Sequence, residues 1–245
     1  EDAASLIISD NLDGSEFTNN FIKYYGELTN DKDINKLFVE IKSRLHPMDV
    51  IRTVVSYIGD SDKNSDLEST TKILAAVSYV IASYNDNDTS ELDQEYTVAS
   101  SMLSNKVSTD ELQALDDILI LYAEHGFNAS TFATRVTAST RSDLTSSIVS
   151  GIGTLKGELH GGANERAVEL INSFKDINDA ETGVLKMLEE KKKIMGFGHG
   201  VYKIQDPRSP VVKRWVEKLV SDDDAKLRFE IAKKIDEIMD KEKKL

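Results

Sequence analysis

An all-α fold is predicted for this chain, and three observations predict it. Apolar residues recur at helical spacing along nearly its whole length. No alternating run bounded by Asn-Gly or Asp-Gly marks a hairpin. Only three prolines, Pro47, Pro207 and Pro210, interrupt 245 residues, so long helices are permitted.

The elements follow in order. Ile34, Leu37, Phe38, Ile41 and Leu45 form one amphipathic stripe. Pro47 takes the position that proline favours at a helix start, and the apolar run 48–58 stops at Gly59. Residues 67–84, rich in Ala, Ile, Leu and Val, read as a buried helix. Ser108 and Glu111 have capping-box spacing ahead of Leu112, Leu115, Ile118 and Leu119. Leu227, Ile231, Ile235, Ile238 and Met239 mark a last helix. Asp222, Asp223 and Asp224 precede it and Lys241, Lys243 and Lys244 close it, matching the helix dipole. Polar loops are expected over 60–66 and 85–93, and glycine-rich turns over 157–162 and 196–200.

Composition narrows the function. Hydrophobic residues make up 40% and charged residues 30%, which supports a soluble globular protein with a real core. No apolar run is long enough for a bilayer, and the acidic start, Glu1 and Asp2, does not resemble a signal peptide. The absence of cysteine excludes disulfides and thiolate metal sites and fits a cytoplasmic protein. A net charge of −13 disfavours nucleic acid and acidic lipid, so an anionic substrate needs local positive groups.

Three of the four histidines stand in segments that suit chemistry. His160 is followed by Gly161 and Gly162, which allow close approach by backbone or ligand. A helix starting near Ala163 favours the neutral imidazole there, a donor suited to a carbonyl oxygen gaining charge; the same residues also suit a plain turn with a capping histidine. His199 lies in Gly196-Phe197-Gly198-His199-Gly200, with Lys203 and Arg208 close behind. That spacing is neither a dinucleotide loop nor a P-loop. It places positive groups together in an acidic chain, and Arg208 suits a carboxylate. His125 ends an apolar helix, where imidazolium is favoured, or where Gly126 simply terminates the helix. No pair of histidines has zinc spacing, so no metal is expected.

Taken together, residues 125–131, 156–165 and 196–208 resemble, in order and approximate spacing, the signature segments of the citrate synthase family. Residues 46–53, His46-Pro47-Met48-Asp49-Val50-Ile51-Arg52-Thr53, match a further stretch of that family ahead of them. The tail from Asp206 is most similar to the 2-methylcitrate synthase branch, and the resemblance runs from about Tyr25 onward. It implies an acyl-CoA:oxaloacetate C-acyltransferase that forms citrate or 2-methylcitrate and releases CoA. His160 and His199 would be catalytic, on the thioester oxygen and the oxaloacetate ketone. His125 and Arg208 would bind oxaloacetate carboxylates. Ile194, Met195, Gly196, Phe197, Gly198 and Lys203 would line the coenzyme A site. Acetyl-CoA or propionyl-CoA is then a substrate, with no bound cofactor.

The resemblance also implies a homodimer of two-domain, mainly helical subunits. Residues 1–160 would form the large domain and 161–245 a mobile small domain on the CoA side. The apolar runs 118–122 and 148–155 are candidates for dimer contact or for ordinary core. Departures from the family pattern include Glu158 and Thr29, each where a proline is usual, and Asp240 where tryptophan is common in the branch. The family's aspartate base and two further arginines lie beyond Leu245. A catalytically incomplete fragment, or a helical dimerisation scaffold, is the alternative expectation.

Overall fold

A computed structural model of the chain describes residues 1–59, 64–85, 97–103, 107–123, 126–198, 202 and 206–243. Regular structure among these residues is all α-helical, as the periodicity predicts. In chain order the helices are α1 (Asp2–Ser9), α2 (Ser15–Asn30), α3 (Lys32–Ile41), α4 (Pro47–Ile58), α5 (Asp66–Tyr84), α6 (Thr97–Met102), α7 (Thr109–Ala123), α8 (Ala129–Ser139), α9 (Leu144–Leu155), α10 (Gly162–Ser173), α11 (Ile177–Glu189), α12 (Ser209–Leu219) and α13 (Asp223–Lys243). The chain divides into two compact units, Glu1–Leu155 and Lys156–Leu245.

Side-chain caps set many of the boundaries, because the first backbone N–H groups of a helix have no partner within it. Asp31 accepts from the amides of Asp33 and Ile34 to open α3. His46 opens α4: its Nδ1 accepts from Met48 N at 3.2 Å, with Pro47 in the first turn. Gly59, at φ 60°, stops that helix. The Ser108–Glu111 capping box forms as predicted, the Ser108 amide donating to Glu111 Oε2 at 2.7 Å and the Glu111 amide to Ser108 Oγ at 3.3 Å. A second box, Ser65–Glu68, opens α5. Leu45 departs from its predicted stripe. Helix α3 ends at Ile41, Pro47 holds His46 extended (ψ 141°), and Leu45, in the turn between the two helices, is left exposed.

In the first unit, α5 packs against α1, α2, α4, α6 and α9. Its Ala75, Ala76 and Val80 are fully buried, which lets neighbouring backbones come close. On α2, Phe17, Phe21 and Tyr25 recur every fourth residue and stack in a row, with centroids 6.5 Å and 5.7 Å apart. The second unit has its own core: Phe174, Ala180, Val184, Ile194, Ile231, Ile235, Ile238 and Met239. There α13 packs on α10 and α11. The Phe174 ring lies over Gly183, where a Cβ would overlap it, and Arg228 Nη1 donates to Phe174 O at 2.8 Å.

Candidate active site

The His160 segment is a tight turn built on one carbonyl. Gly157 O accepts from the amides of both His160 (2.9 Å) and Gly162 (3.1 Å). Helix α10 starts at Gly162, so the half-buried His160 stands just before its N-terminus, where the sequence predicts it. Gly162 is required by backbone packing: a Cβ there would lie 3.0 Å from the carbonyl oxygens of both Lys156 and Gly157. Glu158 is met by Arg166 of α10 at 3.9 Å, and Arg166 also pairs with Glu169 at 2.7 Å. These groups are exposed, so the pairs add little stability.

The 194–198 segment is delivered by the end of α11. That helix closes with a Schellman motif: Lys191 is left-handed (φ 56°), its amide donates to Leu188 O, and the Lys192 amide donates to Met187 O. The chain then drives Ile194 into the core at 4% exposure. Gly196 (φ 95°) and Gly198 (φ 81°) occupy the left-handed region that glycine alone enters freely. A Cβ on Gly196 would lie 3.4 Å from Ala167 Cβ, so this loop rests on α10, the helix that follows His160. Phe197 packs against the same core.

Arg208 directly precedes α12. The Asp206 carboxylate grips its guanidinium, with Nε 3.0 Å from Oδ1 and Nη2 2.7 Å from Oδ2. Asp206 Oδ1 also accepts from the Arg208 amide at 2.9 Å. The Tyr202 ring centroid lies 5.9 Å from Arg208 Cζ. Sequence reading named Arg208 and gave Asp206 no role; the Asp-Pro-x turn spacing was the available signal.

His125, His199 and Lys203 lie outside the described residues. Among those described, no cluster of three His, Cys, Asp or Glu side chains could hold a metal ion, and no helix is long and apolar enough to cross a membrane.

The sequence profile of the citrate synthase C-terminal domain matches residues 1–245. The chain belongs to the citrate synthase family. Within this family it is 40% identical over 215 residues to 2-methylcitrate synthase of Shewanella oneidensis, an alignment covering 81% of this chain and 57% of that protein. It is 35% identical over 210 residues to citrate synthase of Deinococcus radiodurans, covering 80% of this chain and 56% of that protein. The chain thus spans little more than half the length of these relatives. Among solved structures, a ternary complex of citrate synthase from the thermophilic archaeon Thermoplasma acidophilum with carboxymethyl coenzyme A and oxaloacetate matches with a TM-score of 0.85 and 25% identity, covering 98% of this chain and 68% of that one. Citrate synthase from Thermotoga maritima matches with a TM-score of 0.78 and 28% identity, covering 99% and 68%. The family fold accounts for the helical architecture.

Proposed function

We propose that these residues form the substrate-handling part of an acyl-CoA:oxaloacetate C-acyltransferase that makes citrate or 2-methylcitrate and releases CoA. The observation that carries this is the His160 turn at the head of α10, with the 194–198 loop resting on the same helix. In the reaction an α-proton leaves the acyl-CoA, charge develops on the thioester oxygen, and the α-carbon joins the ketone carbon of oxaloacetate. Thioester hydrolysis then frees CoA. His160 donates to the oxygen that gains charge, an interaction stronger in the transition state than in the ground state. His199 polarises the ketone. His125 and Arg208 hold the carboxylates, and Ile194–Gly198 with Lys203 line the CoA path. The 2-methylcitrate synthase relatives favour propionyl-CoA as the acyl donor.

The base that takes the α-proton is assigned to none of these residues. A polypeptide of these 245 residues alone is therefore expected to bind both substrates and turn over slowly, since a missing general base costs about 10²–10⁴-fold. We assign the domains as 1–160 and 161–245, the second closing over substrate. A second copy of the chain is the proposed partner. Its support is α8, which has no buried residue and whose Phe132 and Val136, with Phe127 just before the helix, are at least half exposed. Ile120 and Tyr122 of the candidate run 118–122 are also exposed, whereas Ile148 and Ile152 pack on the core.

The same apolar face supports a second reading, a dimerisation scaffold without catalysis. Calorimetry with oxaloacetate and with CoA separates the two. Micromolar to millimolar binding that His160→Ala leaves intact, together with CoA release that it abolishes in a chain carrying a base, is the expected result. No binding of either ligand overturns the enzymatic reading.

A further inference from the structure

We propose that Asp206 is a positioning residue, one that sets the guanidinium of Arg208 in place before a carboxylate substrate arrives. The proposal rests on the functional reading of Arg208 given above and adds a residue to it. Three hydrogen bonds join the two side chains: Nε to Oδ1 at 3.0 Å, Nε to Oδ2 at 3.2 Å and Nη2 to Oδ2 at 2.7 Å. All engage the Nε–Nη2 edge of the fork. A guanidinium carries five donors, so gripping this edge fixes the plane and direction of the whole group.

The grip is itself anchored. Asp206 Oδ1 accepts from the Arg208 amide at 2.9 Å, and Asp206 O accepts from the Ser209 amide at 3.1 Å, where α12 begins. Pro207, between them, has its φ fixed by its ring. The carboxylate is thus held by the backbone, and the guanidinium by the carboxylate. The Tyr202 ring, 5.9 Å from Cζ, lies near enough for a cation–π contact. Arg208 is only 14% exposed at its side chain and Asp206 31%, so the pair is partly shielded from water.

Two effects of Asp206 oppose each other. Its negative charge repels an incoming carboxylate. Its hydrogen bonds remove rotamer freedom that arginine would otherwise lose on binding. The backbone anchoring and the edge-on geometry make the second effect the larger, and the sign of one substitution distinguishes them. Asp206→Asn keeps an Oδ1 acceptor for the Arg208 amide and Nε, so the turn and α12 survive, while the charge and the two bonds to Oδ2 are lost.

The experiment uses oxaloacetate titrated calorimetrically into the wild-type chain, D206N, R208A and the double variant, with thermal melts and ¹⁵N NMR of the Arg208 Nη2–H group. Expected are roughly tenfold weaker binding for D206N, no further loss when D206N is added to R208A, an unchanged melt, and a resolved Nη2–H signal seen in wild type and lost in D206N, where the 2.7 Å bond to Oδ2 is gone. Equal or tighter binding by D206N overturns the proposal and makes Asp206 a competitor of the substrate. Additive losses overturn it as well, because Asp206 then acts apart from Arg208. If the wild-type chain binds no oxaloacetate, the functional reading of Arg208 fails. The Nη2–H signal still decides, separately, whether Asp206 orders the guanidinium.

Discussion

Replacing Gly162 by alanine is the most direct perturbation of the candidate site that leaves every functional side chain in place. The new Cβ would stand 3.0 Å from two backbone oxygens and 3.2 Å from Gly157 C. These are main-chain atoms of the turn itself, so no flexible side chain can move aside. The Gly157 carbonyl must shift, and it is the acceptor for the amides of His160 and Gly162. Overpacking of this kind costs about 1–3 kcal/mol. Alanine returns at most about 1 kcal/mol of helix propensity, and less at a first helical position. The expected net loss is about 1–2 kcal/mol, accompanied by displacement of His160. Urea unfolding reads the first quantity and imidazole chemical shifts of His160 the second. A variant as stable as wild type, with those shifts unmoved, would refute the account of the turn.

Phe21→Ala should lower stability by about 3–5 kcal/mol, because the ring is fully buried between Phe17 and Tyr25; denaturant melts test it, and a loss under 1 kcal/mol would contradict the stacked core. Gly26→Ala should instead stabilise by up to about 1 kcal/mol, since a Cβ there meets nothing within 4 Å inside α2; a lower melting temperature would be the wrong sign. Asp143, just before α9, accepts from Ser146 Oγ at 2.7 Å and from its amide at 2.8 Å, and these bonds hold its pKa below the ordinary value. A depressed carboxyl pKa contributes stability that is fully present above the ordinary aspartate pKa of about 3.9 and lost as pH falls through the lower folded value. The stability gap between wild type and Asp143→Ala should therefore be open at pH 7 and narrow in acid. A gap independent of pH would show that the charged cap contributes nothing.

The helices were legible where their signals are local. Apolar spacing, proline at the start of α4 and the Ser108–Glu111 pair act within a few residues, so one sequence carries them whole. The Leu45 stripe misled because an apolar residue at helical spacing does not by itself prolong a helix: α3 ends at Ile41, and Pro47 bars His46 from helical backbone just beyond Leu45. The left-handed Lys191 was not legible, since lysine carries no preference for that conformation and the bonds that hold the turn run between backbone groups. At the site, histidine and glycine spacing located the His160 turn and the bend at Gly196. The Asp206 grip on Arg208 was missed because a short acidic-to-basic spacing is common, and only coordinates show which carboxylate turns toward which guanidinium. Exposure of Phe132 was likewise invisible, because an aromatic residue on a helix can face core or solvent until its neighbours are known.

Ile194 is seated among Ile231, Ile235, Ile238 and Met239 of α13. The bend at Gly196 and Gly198 therefore hangs from a socket that α13 walls together with Phe174, Ala180 and Val184. Unwinding of α13 would release Ile231, Ile235, Ile238 and Met239, loosen the socket, and let Gly196 drift from its station against Ala167. Protease cleavage and amide exchange at residues 195–198 would then follow the unwinding of a helix far away in sequence, and the loop would report on its order.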